Sequence, residues 1–542
     1  MSKILVLAEK PSVGKELARV LQCKKSAGGY IEGDKYIVTW ALGHLVTLAE
    51  PEAYGEQYKQ WNMETLPMIP SKMKLKVIPE TAKQFAVVKK LLQSNEISSL
   101  IIATDSGREG ELVARWILEK VSFQKPIQRL WISSQTDKAI KEGFSKLKEG
   151  KQYLHLYHSA QARAEADWIV GLNVTRALTC KYNAQLSAGR VQTPTLAIIA
   201  QREQEIKNFI PKDYYIVRAD LGKFFVTYQD DKKQTNIFDK QKAQSIIGKI
   251  KDNRFTIQKI NKTKKVIVPP MLYDLTELQR DANKLYDMSP KETLNVMQNL
   301  YEKHKALTYP RTDSRYITDD IVPTLTDRLK AVAKGDFTQF VSEIIKNKKS
   351  IAKVCVNNNK VSDHHAIIPT EQSANILSMT TAEKRIYMLV VKRFLTCFYD
   401  NYVYENIKAT LECMGETFIA SGNSIIEKGW KVVTSNVTEQ EEEEQQNLPH
   451  LKEGESYICN TTQLKQMKTT PPPRYTEATL LSAMENPSKF LKDNAMKEYI
   501  GGGLGTPATR ADIIEKLFSS FYIEKKGTSL YITSKGMQLV SL

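Results

Sequence analysis

Residues 306–315 read ALTYPRTDSR and set a phenol close to a permanent cation. Tyr309 precedes Pro310, and a residue ahead of proline is driven out of the α region into an extended conformation. Alternate side chains of an extended segment point the same way, so Tyr309 and Arg311 project together. That pair suits attack on a phosphodiester, with the phenolate as covalent partner and the guanidinium forked onto phosphate oxygens. A surface tyrosine in a polar turn is the plainer reading. With 24 tyrosines in the chain, the motif needs support from elsewhere.

Two acidic clusters offer it. The apolar run 3–8 (KILVLA) ends in Glu9-Lys10, and 100–104 (LIIAT) ends in Asp105-Ser106-Gly107-Arg108-Glu109-Gly110-Glu111. Both runs read as buried strands. Chemistry in α/β sheets collects at the carboxyl ends of strands, so Glu9 and Asp105 converge if their strands are neighbours, and Glu109 in the next helical turn can join them. Clustered carboxylates repel and call for a cation; hard oxygen ligands beside a phosphate suit Mg²⁺. Acids that merely favour a helix dipole explain Glu109 and Glu111 well, and Glu9 and Asp105 less well. Gly14-Lys15 is not a P-loop, because Glu9 stands where a glycine is needed and Glu16 where Ser or Thr is needed. No nucleoside triphosphate site is expected.

Further along, 187–194 (SAGRVQTP) is small and polar and opens a helix, with Thr193 as N-cap and Pro194 at the first helical position. A helix start beside a glycine binds anions, and Arg190 adds a fork for phosphate; a plain capped helix fits as well. Arg163 and Asp167 stand at i, i+4, which suits a salt bridge or a shared ligand. Trp61, Trp168 and Arg176 are candidates for base stacking and phosphate contact, burial being the plainer account of either ring. The run 501–507 (GGGLGTP) leads a helix with Arg510 in its first turn, another phosphate-type start. The stretch 362–369 (SDHHAIIP) is rich in proton carriers.

These residues must be positioned by several domains, which 542 residues allow. Strands at 3–8, 36–41, 100–104 and 127–132 alternate with helices at 12–21 and 81–92, implying a mainly parallel α/β sheet within residues 1–150. Residues 151–206 are helical and basic. Period-two alternation marks two β-rich pieces, 213–265 and 401–461, which flank an insertion at 266–400 carrying the tyrosine. Helices at 274–286 and 291–304 ahead of the extended stretch give a winged-helix outline. The outline returns at 477–484, 508–518 and a hairpin turned at Gly527, so 151–212 and 462–542 form a helical, winged-helix-like unit. The run 438–446 (TEQEEEEQQ) reads as an exposed acidic loop.

The formal net charge is +17, pointing to a polyanionic partner, most simply nucleic acid. No run of 18 apolar residues and no signal peptide is present, so the reading is a cytoplasmic protein at the nucleoid with no membrane span. Six scattered cysteines without a CxxC pair exclude a zinc ribbon and fit reduced, buried thiols.

AEKPSVGKE and ATDSGREGE resemble the two acidic motifs of a toprim domain. With TYPRTDS downstream, the combination resembles type IA DNA topoisomerases, the topoisomerase III branch in particular. SAGRVQTPTL resembles that family's DNA-strand-binding segment, and His364 falls on the histidine of its His-x-Ala-Ile-x-Pro pattern. PPPRYTEATLLSAME and GLGTPATRADII are similar to further family segments, so the resemblance runs in order through almost the whole chain.

It implies a toroid of four parts: a toprim α/β domain, winged-helix-like helical domains and a β-rich hinge domain, in a multidomain α/β plus α+β fold. It also implies ATP-independent breakage, passage and rejoining of single-stranded DNA. Tyr309 would be the nucleophile holding a 5′ end, and Arg311 with Lys10 the phosphate stabilisers. Glu9 would be acid/base or Mg²⁺ ligand, Asp105 a ligand assisted by Glu109, and His364 an orienting group. Ser187, Gly189, Arg190, Val191, Gln192 and Thr193 would grip the strand.

Gly107 stands where the family commonly has a second aspartate, implying a weaker hold on Mg²⁺. The chain stops at Leu542, where family members usually continue, so truncation is expected. A helicase partner is compatible with the family, though no motif reads it. Two rivals are a toprim nuclease or primase, for which Tyr-Pro-Arg-Thr-Asp has no use, and a catalytically weakened single-strand-binding protein of the same fold.

Overall fold

The computed structural model describes residues 2–361, 363–434, 446–490 and 503–542. Ser362, Gly501, Gly502 and all of the acidic run 438–446 except Gln446 lie outside the described residues.

The first sheet has seven strands, in the order Lys25–Ala27, Tyr30–Glu32, Tyr36–Trp40, Lys3–Ala8, Ile97–Ala103, Ile127–Arg129, Lys148–Glu149. The central four run parallel. The outer strands are antiparallel and only two or three residues long, too short to show a period in the sequence. KILVLA is apolar throughout because it is buried on both faces. Leu5 and Leu7 enter one core with Val88 and Ile117, and Val6 and Ala8 enter the other with Leu17 and Ile140. Gly14 serves this packing: a Cβ there would come within 2.6 Å of the Trp40 ring. The helix Pro11–Val20 can thus lie close on the sheet and present Lys10 at its N-cap.

A long helix, Leu154–Tyr182, leads to a second, Gln192–Lys207. The second begins earlier than its proline suggests, with Val191 at the N-cap and Pro194 inside the first turn. Thr193 is therefore not the N-cap. From within the turn its Oγ1 accepts from the Gly189 amide at 3.0 Å, while its own amide donates to the Gly189 carbonyl at 3.1 Å.

The second sheet is antiparallel, also seven-stranded, and built from both flanks of the insertion: Ser456–Ile458, Arg254–Ile267, Tyr402–Cys413, Glu416–Glu427, Phe225–Tyr228, Asp213–Asp220, Thr461–Lys468. Its core gathers Val217, Phe255, Leu411 and Phe418 under the helix Lys240–Ile250. Thr461–Lys468 pairs along its length with Asp213–Asp220, so the sheet continues past residue 461. Ile267 and Tyr402 are paired across neighbouring strands, so the chain leaves for the insertion and returns at one place.

Inside the insertion, Asp274 caps Leu275–Tyr286 and Ser289 caps Pro290–Glu302. The tyrosine stretch then runs extended: Leu307 bridges Pro369, and the Thr308 amide donates to the Ile368 carbonyl at 3.0 Å. Leu278, Met297, Leu300, Leu307, Ile367 and Phe394 share the core beneath it. The C-terminal unit follows the expected order: Glu477–Glu485, Pro507–Ser519 and a hairpin of Ile523–Lys526 with Ser529–Ile532, turned at Gly527. A last helix, Ser534–Ser541, was not anticipated. This unit packs on Leu196 and Ile199, and it braces the insertion, where Arg280 donates to Ser482 Oγ at 2.9 Å. Among the described residues no helix is long and apolar enough to cross a membrane.

Candidate active site

Strand register brings the two acidic clusters together. Ala8 lies opposite Ala103, so Glu9 and Asp105 leave the sheet at one edge, where the Asp105 amide donates to Glu9 Oε2 at 3.1 Å. Both residues are over nine-tenths buried. The turn is held from below by Arg129, fully buried, which donates to the carbonyls of Thr104 at 2.8 Å and Asp105 at 2.7 Å and pairs with Glu111 at 2.6 Å. Gly110 is required there, since a Cβ would stand 2.0 Å from the Asp105 carbonyl oxygen. Burial, reinforced by Asp105, pushes the Glu9 carboxyl up to about 7. Burial also raises Asp105, against the pull of Lys10 and Arg311.

Glu109 departs from the expected trio. Its Oε1 meets His44 Nε2 at 2.8 Å, and that hydrogen bond lowers its pKa. Burial disfavours the charged His44 ring, yet contact with Glu109 carries its pKa upward. A helix start with an imidazole at hand gives Glu109 a partner other than the carboxylate edge. Among the described residues, no three His, Cys, Asp or Glu side chains are grouped to hold a metal.

The tyrosine stretch closes over this edge. Tyr309, Arg311, Glu9 and His364 line one cleft of about 770 Å³. The Tyr309 amide donates to the Ser133 carbonyl at 2.9 Å. Its ring stacks on His364 at 4.2 Å and meets Tyr301 edge-on at 5.4 Å. Burial, then the Asp105 charge, hold the phenol well above its ordinary value, with Arg311 opposing. Arg311 Nε is buried and has no hydrogen-bond partner among the described residues. Lys10 pairs with Glu302 at 2.7 Å.

His364 Nε2 meets the Ser106 carbonyl, which only accepts, so Nε2 carries the proton and Nδ1 accepts from Ser133 Oγ at 2.9 Å. Burial holds the ring's pKa down to about 3, which keeps it neutral and leaves Nδ1 as the acceptor.

The strand-binding candidates divide. Arg163 and Asp167 line the same cleft, and Arg190 Nε is tied to Asp167 at 2.9 Å. The Ser187 amide donates to Tyr522 Oη at 2.8 Å. Val191 lies against the turn at Gly505. Gln192 is buried, with neither side-chain polar atom partnered among the described residues. Trp61 is 50% exposed. Arg176 is buried beneath Trp61, 5.3 Å from the ring, and donates to the Tyr58 carbonyl at 2.7 Å, while its Nε has no hydrogen-bond partner among the described residues. Trp168 packs against the first-sheet core and Tyr54. Arg510 is engaged by partners within the protein. It is buried and donates to the Leu504 carbonyl at 3.1 Å and Thr276 Oγ1 at 3.0 Å, fastening the C-terminal unit to the insertion.

The sequence reading missed His44, Glu302, Trp131, Ser133 and Tyr301. Trp131 and Ser133 follow the carboxyl end of Ile127–Arg129, so the rule that located Glu9 and Asp105 would have reached them. Glu302 carried no local signal, because its contact with Lys10 spans 292 residues.

The chain resembles known proteins over its whole length. A family described as DNA topoisomerase matches residues 151–542, and a Toprim domain matches residues 4–135. DNA topoisomerase 3 of Bacillus subtilis (strain 168) is 54% identical over 550 residues, covering 100% of this chain and 76% of the relative. DNA topoisomerase 3 of Bacillus cereus (strain ATCC 14579) is 53% identical over 552 residues, with the same coverage. The solved structure of full-length topoisomerase I from Thermotoga maritima superposes with a TM-score of 0.73 at 23% identity, covering 98% of this chain and 80% of that one. The expected fold class, a multidomain toroid of α/β and α+β parts, stands on that likeness. With a toprim edge, a tyrosine segment closed over it and relatives above 50% identity along the full chain, the protein belongs to the type IA DNA topoisomerases, in the topoisomerase III branch.

Proposed function

We propose that this enzyme breaks single-stranded DNA by attack of Tyr309 on a backbone phosphate, holds the 5′ end covalently, passes another strand through the gap and reseals it. The observation that carries the reading is one cleft in which Tyr309 and Arg311 face Glu9 across the contact between two parts of the molecule. Glu9, raised to about 7, is suited to take the phenol proton and to return it to the leaving 3′ oxygen. Arg311, with an unpartnered Nε, and Lys10 supply the charge that a pentacovalent phosphate develops. His364, neutral and stacked on the phenol, orients it. No ATP is needed, since the phosphotyrosine conserves the bond.

Toprim domains generally bind Mg²⁺, and this edge fits the ion. Glu9 and Asp105 are adjacent buried carboxylates with raised pKa values, and a Cβ on Gly107 would meet nothing within 4 Å, leaving room beside them. Mg²⁺ is commonly held by one or two carboxylates together with substrate phosphate. Asp105 would hold it together with substrate phosphate, with Glu9 beside it as the proton acceptor, and bound there it would neutralise phosphate charge. Strand gripping falls to Arg163, Arg190, Gln192 and Trp61, on the nucleoid DNA of the cytoplasm. The four parts act along the expected boundaries, with the hinge sheet extended to Lys468.

Incubation with negatively supercoiled DNA and Mg²⁺, followed by denaturant, tests this. Expected are relaxation and a covalent 5′ adduct, both abolished in Tyr309→Phe. Nicks without an adduct would favour a nuclease, and binding without cleavage at any Mg²⁺ concentration an inert single-strand binder.

A further inference from the structure

A column of rings crosses the boundary between the two halves of the site. Tyr153 stacks on Trp131 (4.7 Å, 18°), Trp131 on His364 (5.8 Å, 17°) and His364 on Tyr309 (4.2 Å, 29°). Trp131 belongs to the toprim side, Tyr153 to the start of the helical unit packed on it, and the last two rings to the tyrosine insertion. Trp131 is anchored at home by the Arg129 guanidinium, 5.0 Å from its ring, and across the boundary its Nε1 donates to the Asp363 carbonyl at 2.9 Å. Both nitrogens of His364 also end on the toprim side, at Ser106 and Ser133. The plane of the ring against which Tyr309 lies is thus set by the opposite half of the molecule. Trp131 does not line the reaction cleft and has no part in the chemistry above.

We propose that Trp131 is a positioning residue that aligns Tyr309 through His364, and that the alignment exists only while the two halves are in contact. This rests on the reading of Tyr309 as nucleophile. In breakage the bond from Tyr309 Oη to phosphorus forms as the bond to the 3′ oxygen breaks, and the phenol proton ends on that oxygen; rejoining is the reverse. Opening parts Trp131 from His364, so the phosphotyrosine loses its alignment while the strand gap is open. Transfer in either direction is then confined to the closed state, and a misplacement of about 1 Å at a reacting group costs on the order of 100-fold.

The full chain is compared with Trp131→Leu and Trp131→Phe on a single-stranded oligonucleotide with Mg²⁺, measuring single-turnover cleavage and rejoining and, separately, oligonucleotide affinity. Trp131→Leu is expected to slow both steps roughly 10- to 100-fold with affinity within about twofold, and Trp131→Phe, which keeps a flat ring, to recover most of the rate. Wild-type rates in Trp131→Leu overturn the proposal. So does an equal loss in both variants, or an affinity loss that accounts for the rate loss. A second arm does not depend on cleavage. The emission difference between wild type and Trp131→Phe isolates this indole, and it is expected to change in His364→Ala. An unchanged signal overturns the stack. Absence of any wild-type adduct, with the emission arm positive, would fault the nucleophile reading instead.

Discussion

Gly107 is the position at which an added carboxylate would strengthen the hold on Mg²⁺ proposed for this edge. Its backbone is fully extended (φ 178°, ψ 175°), a conformation open to any residue, and the space beside it is free. Gly107→Asp should therefore fold normally and lower the Mg²⁺ concentration for half-maximal adduct formation several-fold, checked independently by calorimetric titration of the metal. Glu9 carries the opposite bargain. Its charge is buried, so the folded-state pKa lies above the ordinary carboxylate value, and stability is lost as pH rises from about 4.5 through about 7. Cleavage, which needs the ionised form, should rise across the upper part of that window. Glu9→Gln is expected to lose the pH limb and about 10²–10⁴-fold in cleavage rate, while its melting temperature at pH 8 exceeds that of wild type. Residue types announced much of this site: Tyr309, Arg311, Glu9, Asp105 and His364 were all legible, because proline, strand ends and a family pattern fix them locally. The burial of Arg176 and Arg510 was not legible, because an arginine in a basic chain looks the same whether it is exposed or held against a buried carbonyl.

At the scale of elements, the first turn of Arg108–Lys120 is the piece with least tolerance. It sits directly on the Asp105 carbonyl, and only a missing side chain at Gly110 permits the approach. Gly110→Ala should cost about 1–3 kcal/mol by overpacking and, by pushing the Asp105 turn off the edge, reduce metal affinity more than tenfold. Denaturant melts and metal titration on the same preparation separate the two effects. The helices at 12–21, 81–92, 274–286 and 291–304 were read to within two residues from their apolar spacing, while the strands read at 100–104 and 127–132 each missed one end by three residues. The helix at Gln192–Lys207 was started too late because Thr193 caps backwards from inside the turn, a geometry that the usual Thr-Pro start signal does not encode. Strand Thr461–Lys468 was assigned elsewhere because its burial is partial, and its membership in the sheet is set by pairing with residues 213–220 far upstream.

Across the whole molecule, the contact between the toprim part and the insertion is made largely of polar groups: Lys10 with Glu302, Lys305 with Glu16, Thr136 with Glu371, Gln135 with Tyr301, the Trp131–Asp363 bond, and the bonds of Tyr309 and His364 to Ser133 and Ser106. None is a broad apolar seam, which suits a boundary that must part in each cycle. Lys305→Ala removes one latch away from the cleft. It is expected to speed strand passage in plasmid relaxation up to severalfold while leaving oligonucleotide cleavage unchanged; a matched drop in both would assign Lys305 to chemistry. The second sheet adds a mechanical consequence. The insertion departs and returns through Ile267 and Tyr402, which are paired neighbours, so a pull on Tyr309 along these strands draws both together and leaves the bonds between them slack. The load passes instead to the long pairing of Tyr402–Cys413 with Glu416–Glu427, where many hydrogen bonds are strained side by side rather than one after another. A DNA end under tension is thus tethered to a sheet loaded in shear, the direction in which a β ladder yields last.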